Sequence, residues 1–94
     1  MQQEAAYISL IKAALAKGLT VSVFDGEEWN PRRSSDLHEI QTAVESVEEA
    51  NLSFRDDQGQ SQGCALIIPF GVDPDETVVD HSLTPWIEAV IETI

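Results

Sequence analysis

The chain has 94 residues, with 17 Asp and Glu against 5 Lys and Arg, so its formal net charge is -12. A field of this sign repels nucleic-acid phosphates and anionic membrane surfaces and attracts basic partners. Yet 43% of the residues are hydrophobic and recur at helix and strand periods, which argues for one folded domain over 1–94 rather than a disordered acidic tail.

The first predicted element is a helix over 3–17. Tyr7, Ile8, Ile11, Ala14 and Leu15 form an apolar stripe at three- and four-residue spacing. Lys12 and Lys17 suit the negative end of the helix dipole, and Gly18 fits the stop. Leu19 to Asp25 alternates as a strand, with Leu19, Val21 and Val23 on one side and Thr20, Ser22 and Phe24 on the other. Asp25-Gly26 has turn chemistry, and Glu27 to Asn30 reads as a short return strand carrying Trp29.

A loop over 31–35 leads to a second helix, capped by Ser35 or Asp36 and extending to about Val47. Leu37, Ile40, Val44 and Val47 make its core stripe. With Asp36 as cap, Glu39 completes an acidic variant of the capping box. Leu52 to Asp56 is a strand with Leu52 and Phe54 on one face and Ser53 and Arg55 on the other. A polar turn over 57–63 leads to Cys64–Phe70, the most apolar strand, which Pro69 should end. Its uniform apolarity predicts cover on both faces or a central place in the sheet, with Cys64 a buried small hydrophobe. Residues 71–83 read as an acidic loop with a Val78-Val79 island. Thr84 and Pro85 then open a last helix, with Trp86, Ile87, Val90, Ile91 and Ile94 on one face.

The expected fold is α+β in the order α-β-α-β-β-α, a small three-stranded, mostly antiparallel sheet packed with three helices. The second and third strands form a hairpin. A helical crossover joins the first strand to them.

The chemistry is sparse. One cysteine excludes an intrachain disulfide and a cysteine metal knuckle, and it fits a reducing cytoplasm. No run reaches the ~18 apolar residues of a membrane span. The segment Met1–Glu4 has no basic-then-apolar leader pattern, so no signal peptide is expected. Asp73, Asp75, Glu76 and Asp80 form the densest set of oxygen ligands. The EF-hand spacing fails at Thr77 and Val78, so a solvated acidic loop is the expectation and no metal site is assigned. Asp80, His81 and Ser82 are adjacent in sequence, which does not give a triad its geometry. No catalytic residue and no cofactor is therefore expected.

Trp29-Asn30-Pro31-Arg32-Arg33 is the only basic run. It reads either as a docking point for an anionic partner or as Arg32 and Arg33 neutralising Glu27 and Glu28 while Trp29 covers the core edge; the second is preferred, because two arginines do not overcome the global field. The candidate partner-binding residues are Trp29, Arg32, Arg33, Asp73, Asp75, Glu76 and Asp80. The full apolar face of the last helix is expected in the core, with homodimerisation through it as the alternative. Glu39, Glu45, Glu48 and Glu49 lie off the second helix's core stripe, where carboxylates permit nucleic-acid mimicry.

Several runs, among them Thr20 to Trp29, Arg33 to Asp36, Ala43 to Ala50, Leu52 to Asp56 and Asp75 to Asp80, resemble small phage and prophage proteins of unknown function. The resemblance implies an accessory protein acting in a bacterial cytoplasm and transfers no activity. The expected role is non-enzymatic protein–protein interaction, with a basic protein as partner. The alternative is an acidic mimic that blocks a basic nucleic-acid-binding protein. Direct nucleic-acid binding and membrane association are not expected.

Overall fold

A computed structural model describes residues 5–70 and 77–92. Helix α1 spans Ala6–Ala16. It stops in a Schellman motif: Gly18 takes φ +81, its N–H donates to the Leu15 carbonyl at 3.0 Å, and the Leu19 N–H reaches back to Ala14 at 3.0 Å. That geometry favours a residue without Cβ, which is why the stop was readable. Helix α2 spans Leu37–Glu45, and Asp36 is its N-cap, accepting from the His38 and Glu39 backbone N–H groups. The helix ends two residues before the expected Val47, and the Ser46 hydroxyl donates to the Ala43 carbonyl at 2.7 Å. Helix α3 spans Pro85–Glu92, opening where Thr84-Pro85 placed it. The expected face residue Ile94 lies outside the described residues.

Among the described residues the sheet has four strands, not three. These are β1 (Thr20–Phe24), β2 (Ala50–Arg55), β3 (Ser61–Ile67) and β4 (Val78–His81), in the spatial order β1-β2-β3-β4. Every neighbouring pair is antiparallel. The order along the chain is thus α-β-α-β-β-β-α, and the expectation of a plain loop through 83 is corrected at Val78–His81. This strand pairs with β3, and Ile68 N–H to Thr77 O (2.8 Å) and Ser82 N–H to Cys64 O (3.0 Å) bracket it. Its middle residues Val79 and Asp80 are both exposed. It therefore lacks the in–out alternation that marks a strand in sequence.

All three helices share one core with the sheet. Phe54, Leu52, Val21, Val23 and Ile67 are fully buried against Leu10, Ile11, Ile40, Val44 and Ile87. The register puts Val21 opposite Phe54 and Val23 opposite Leu52, so the apolar residues of successive strands fall on one side. Trp86 closes the far end. Its ring stands edge-on to Phe54 at 5.2 Å and its Nε1–H donates to the Gln62 carbonyl at 2.8 Å. Trp86, Val90 and Ile91 pack partly buried on this core.

Cys64 is a second correction, since it is exposed. The two-residue period turns Ala65 and Ile67 inward and Cys64 outward, to the sheet face away from the helices, where it pairs with Ser53. The outer edge of β1 is covered by its own loop. Val21 and Ser34 exchange backbone hydrogen bonds at 2.8 Å, Asn30 N–H donates to Val23 O at 2.8 Å, and Val23 N–H donates to Pro31 O at 3.0 Å. The return segment carrying Trp29 is thus realised as an edge cover rather than a strand, a common way to blunt a sheet edge. No described helix is long and apolar enough to cross a membrane.

Candidate functional site

The site lies where the edge loop meets the helix-free face of the sheet. Ser22, Ser53, Trp29, Arg32, Arg33 and Arg55 line an open concavity of about 580 Å³. The chain has only three arginines, and all of them are here.

Local chemistry sets each one. Asp25 begins the loop, its Oδ1 accepting from the Glu27 and Glu28 N–H groups at 2.9 Å. Those bonds to Glu28 and Glu27 hold its carboxyl below the usual carboxylate range. The turn brings Trp29 back over Phe24, with ring centroids 5.2 Å apart and planes tilted by 40°. Arg32 Nε donates to the Trp29 carbonyl at 3.3 Å. Arg33 is the one non-glycine residue with positive φ, at 51°, among the described residues. Its N–H donates to the Ser22 hydroxyl at 2.8 Å, and the Val21–Ser34 pair beside it holds the loop in that left-handed conformation. Such positions concentrate at functional sites.

Arg55 comes from β2, and the ladder shifts register between Phe54 and Arg55. Irregularities of this kind re-aim a side chain. The Arg55 Nη1 donates to the Gly59 carbonyl at 2.8 Å. A Cβ on Gly59, which takes φ +80, would lie 3.2 Å from Arg33 Nη2. Two arginine side chains therefore approach the same glycine at the tip of the β2–β3 hairpin. That tip is tied by Asp56, whose Oδ1 accepts from the N–H groups of Gln58 (3.0 Å) and Gln60 (2.9 Å).

Trp29, Arg32 and Arg33 are thus brought together as the sequence reading grouped them. Two particulars differ from the structural part it preferred. Trp29 is exposed and stacks on the open face instead of sealing the core. Among the described residues the Arg32 guanidinium bonds a carbonyl, not Glu27 or Glu28. Asp80 is exposed on β4 and its Oδ1 accepts from the His81 N–H at 2.9 Å. Asp73, Asp75 and Glu76 lie outside the described residues.

Sequence reasoning missed Ser22, Ser53 and Arg55 as site residues. It did place Ser53 and Arg55 on one strand face and Ser22 on the polar side of its own strand. The absent information was the register pairing Thr20 with Arg55 and Ser22 with Ser53.

The Asp80-His81-Ser82 run does not assemble a nucleophile and base. The His81 Nδ1 lies 3.0 Å from the Ser82 carbonyl, while the Ser82 hydroxyl is engaged by Thr84 Oγ1 (2.8 Å) and the Cys64 N–H (3.1 Å). Among the described residues, no three His, Cys, Asp or Glu side chains gather as a metal site.

Compared with known proteins, the chain matches no family model, and no curated protein and no solved structure matches it significantly.

Proposed function

We propose that this chain is a non-enzymatic interaction domain that binds another protein, with the Trp29–Arg32–Arg33–Arg55 concavity as the point where an anionic group of that partner docks. The observation that carries this reading is the gathering of every arginine at one open concavity of a strongly acidic chain. Arg beside an aromatic ring is a frequent interface pairing, and a guanidinium fork suits carboxylate or phosphate oxygens. The remaining acidic surface favours a partner that is otherwise basic. The resemblance to phage and prophage proteins supplies the setting, an accessory role in a bacterial cytoplasm.

The test compares tagged wild-type protein with an Arg32→Gln/Arg33→Gln bait in bacterial lysate, read by quantitative mass spectrometry. The reading expects a protein held by the first bait and lost from the second. Equal capture by both removes the concavity from the function.

A second reading rests on Glu39, Glu45, Glu48 and Glu49, all exposed on α2 and the turn after it. Carboxylates displayed there support mimicry of a phosphate backbone. It predicts competition with DNA for a basic protein, falling steeply with salt. A competition curve unchanged by salt argues against it.

A further inference from the structure

The concavity holds more unused cationic donors than a carboxylate needs, and we propose that its ligand is a phosphorylated side chain of the partner protein. This rests on the docking role given above and names its chemistry.

Each guanidinium carries five N–H donors. Among the described residues, Arg32 and Arg55 each spend one on a backbone carbonyl, of Trp29 and Gly59, and Arg33 spends its backbone N–H on Ser22. The rest of the three forks lies beside the concavity. Arg33 and Arg55 both approach Gly59, and like charges gathered there repel, while the Asp56 carboxylate at the same tip is engaged by the Gln58 and Gln60 backbone N–H groups and the Gln62 amide. A phosphate monoester relieves that repulsion best. It brings close to two negative charges and three acceptor oxygens, so more than one fork can engage it bidentately. A carboxylate offers one charge and two oxygens.

The surroundings choose the source of the phosphate. Small-molecule sites enclose most of their ligand, whereas here Trp29, Arg32 and Arg33 are all exposed and Arg55 is half-buried. A free phosphate ester would stay mostly in water at such a site. A phosphorylated side chain gains further contacts from the polypeptide around it, with the exposed face of Trp29 as the first apolar platform. A nucleic-acid polyanion is disfavoured, because its many phosphates would meet a surface of net charge -12 beyond the reach of three arginines.

The test uses the full chain and isothermal calorimetry at physiological salt. The probes are short lysine-flanked peptides carrying phosphoserine or phosphotyrosine, the same peptides without phosphate, and phenyl phosphate alone. At least one phosphopeptide should bind roughly tenfold or more tighter than its unphosphorylated form and than phenyl phosphate. Arg33→Gln and Arg32→Gln should each remove that advantage while far-UV circular dichroism stays unchanged. Equal binding with and without phosphate overturns the proposal, as does binding indifferent to both substitutions. Phenyl phosphate matching the phosphopeptides overturns the protein source. Phosphatase treatment of the lysate separates the two readings. Capture that survives phosphatase but still needs Arg32 and Arg33 leaves the docking role standing and ends the phosphate assignment; capture that needs neither arginine ends both.

Discussion

On the helix-covered face of the sheet, Val21, Val23, Leu52, Phe54 and Ile67 are fully buried and interlock with all three helices. On the other face, the same strands turn Ser22, Ser53 and Arg55 toward an open concavity lined by three arginines. The strands and the ladder are shared, and the side chains alternate between the two jobs residue by residue. Phe54 and Arg55 are neighbours in sequence, one a centre of the core and the other a wall of the site. On the function proposed above, stability depends on one face and recognition on the other. Substitutions should separate along that line, the first face changing the unfolding midpoint and the second changing binding.

The largest effect is expected at Phe54, which lies under Trp86 at 5.2 Å. Phe54→Ala should cost about 3–5 kcal/mol, a large part of the ~5–15 kcal/mol available to a domain. Urea denaturation followed by circular dichroism measures it. A loss below about 1 kcal/mol would mean that this face is not the stabilising one.

Gly63 comes next. It stands opposite Phe54 in the ladder at φ +130. An added Cβ would meet Ile87 Cδ1 at 2.5 Å and Ser82 Oγ at 2.9 Å. Gly63→Ala should therefore cost roughly 1–3 kcal/mol through overpacking and a backbone that side chains avoid. A cost near zero would show that α3 shifts away without loss.

Tyr7 sharpens the comparison with pH. Its hydroxyl donates to Glu45 Oε2 at 3.0 Å. Burial first, and then the hydrogen bond to Glu45 and its charge, raise the phenol's pKa. The folded state thus favours the neutral phenol more than the unfolded chain does. That contribution is complete below the unfolded pKa of about 10 and is lost as pH rises toward the folded value. Urea midpoints should fall more steeply above about pH 10 in the wild type than in Tyr7→Phe. At neutral pH the substitution should cost about 1 kcal/mol for the lost bond. Identical alkaline slopes would assign the fall to other groups.

The helix-covered face was legible in the sequence because its signals are local. The apolar stripe of α1, the Gly18 stop, the Asp36 cap and the Thr84-Pro85 start each lie within a few residues of the element they define. The β2–β3 hairpin was legible for the same reason. Strand β4 was not, because Val79 and Asp80 are both exposed and its pairing with β3 is the only thing that makes it a strand. The apolar composition of β3 predicted two-sided cover or a central place in the sheet; the central place holds, since β3 lies between β2 and β4, but Cys64 was misplaced because the face it points to is exposed. The site was half legible. Trp29, Arg32 and Arg33 are contiguous enough to be grouped, but Arg55 joins them through the β1–β2 register and the hairpin tip, which no local pattern encodes.

The smallest stability effect, and the one that tests the division most directly, is expected at Arg33. A purely structural arginine would lower stability when removed, because its carboxylate partners would lose their counter-charge. An arginine that serves binding, held at φ 51 with its side chain and that of Arg55 both directed to Gly59, is locally unfavourable in the absence of its ligand. Asn tolerates the left-handed conformation better than a long side chain does, and it removes one of the converging charges. The loss of one positive charge adds slightly to the chain's overall negative charge, an effect spread over the whole surface and weakened by salt beyond about 10 Å. The local gain acts at one position on the chain rather than across the whole surface, so it wins. Arg33→Asn should leave the unfolding free energy unchanged or raise it by about 0.5 kcal/mol while weakening binding at the concavity. A loss above about 1 kcal/mol would return Arg33 to the structural role that its neighbouring glutamates first suggested.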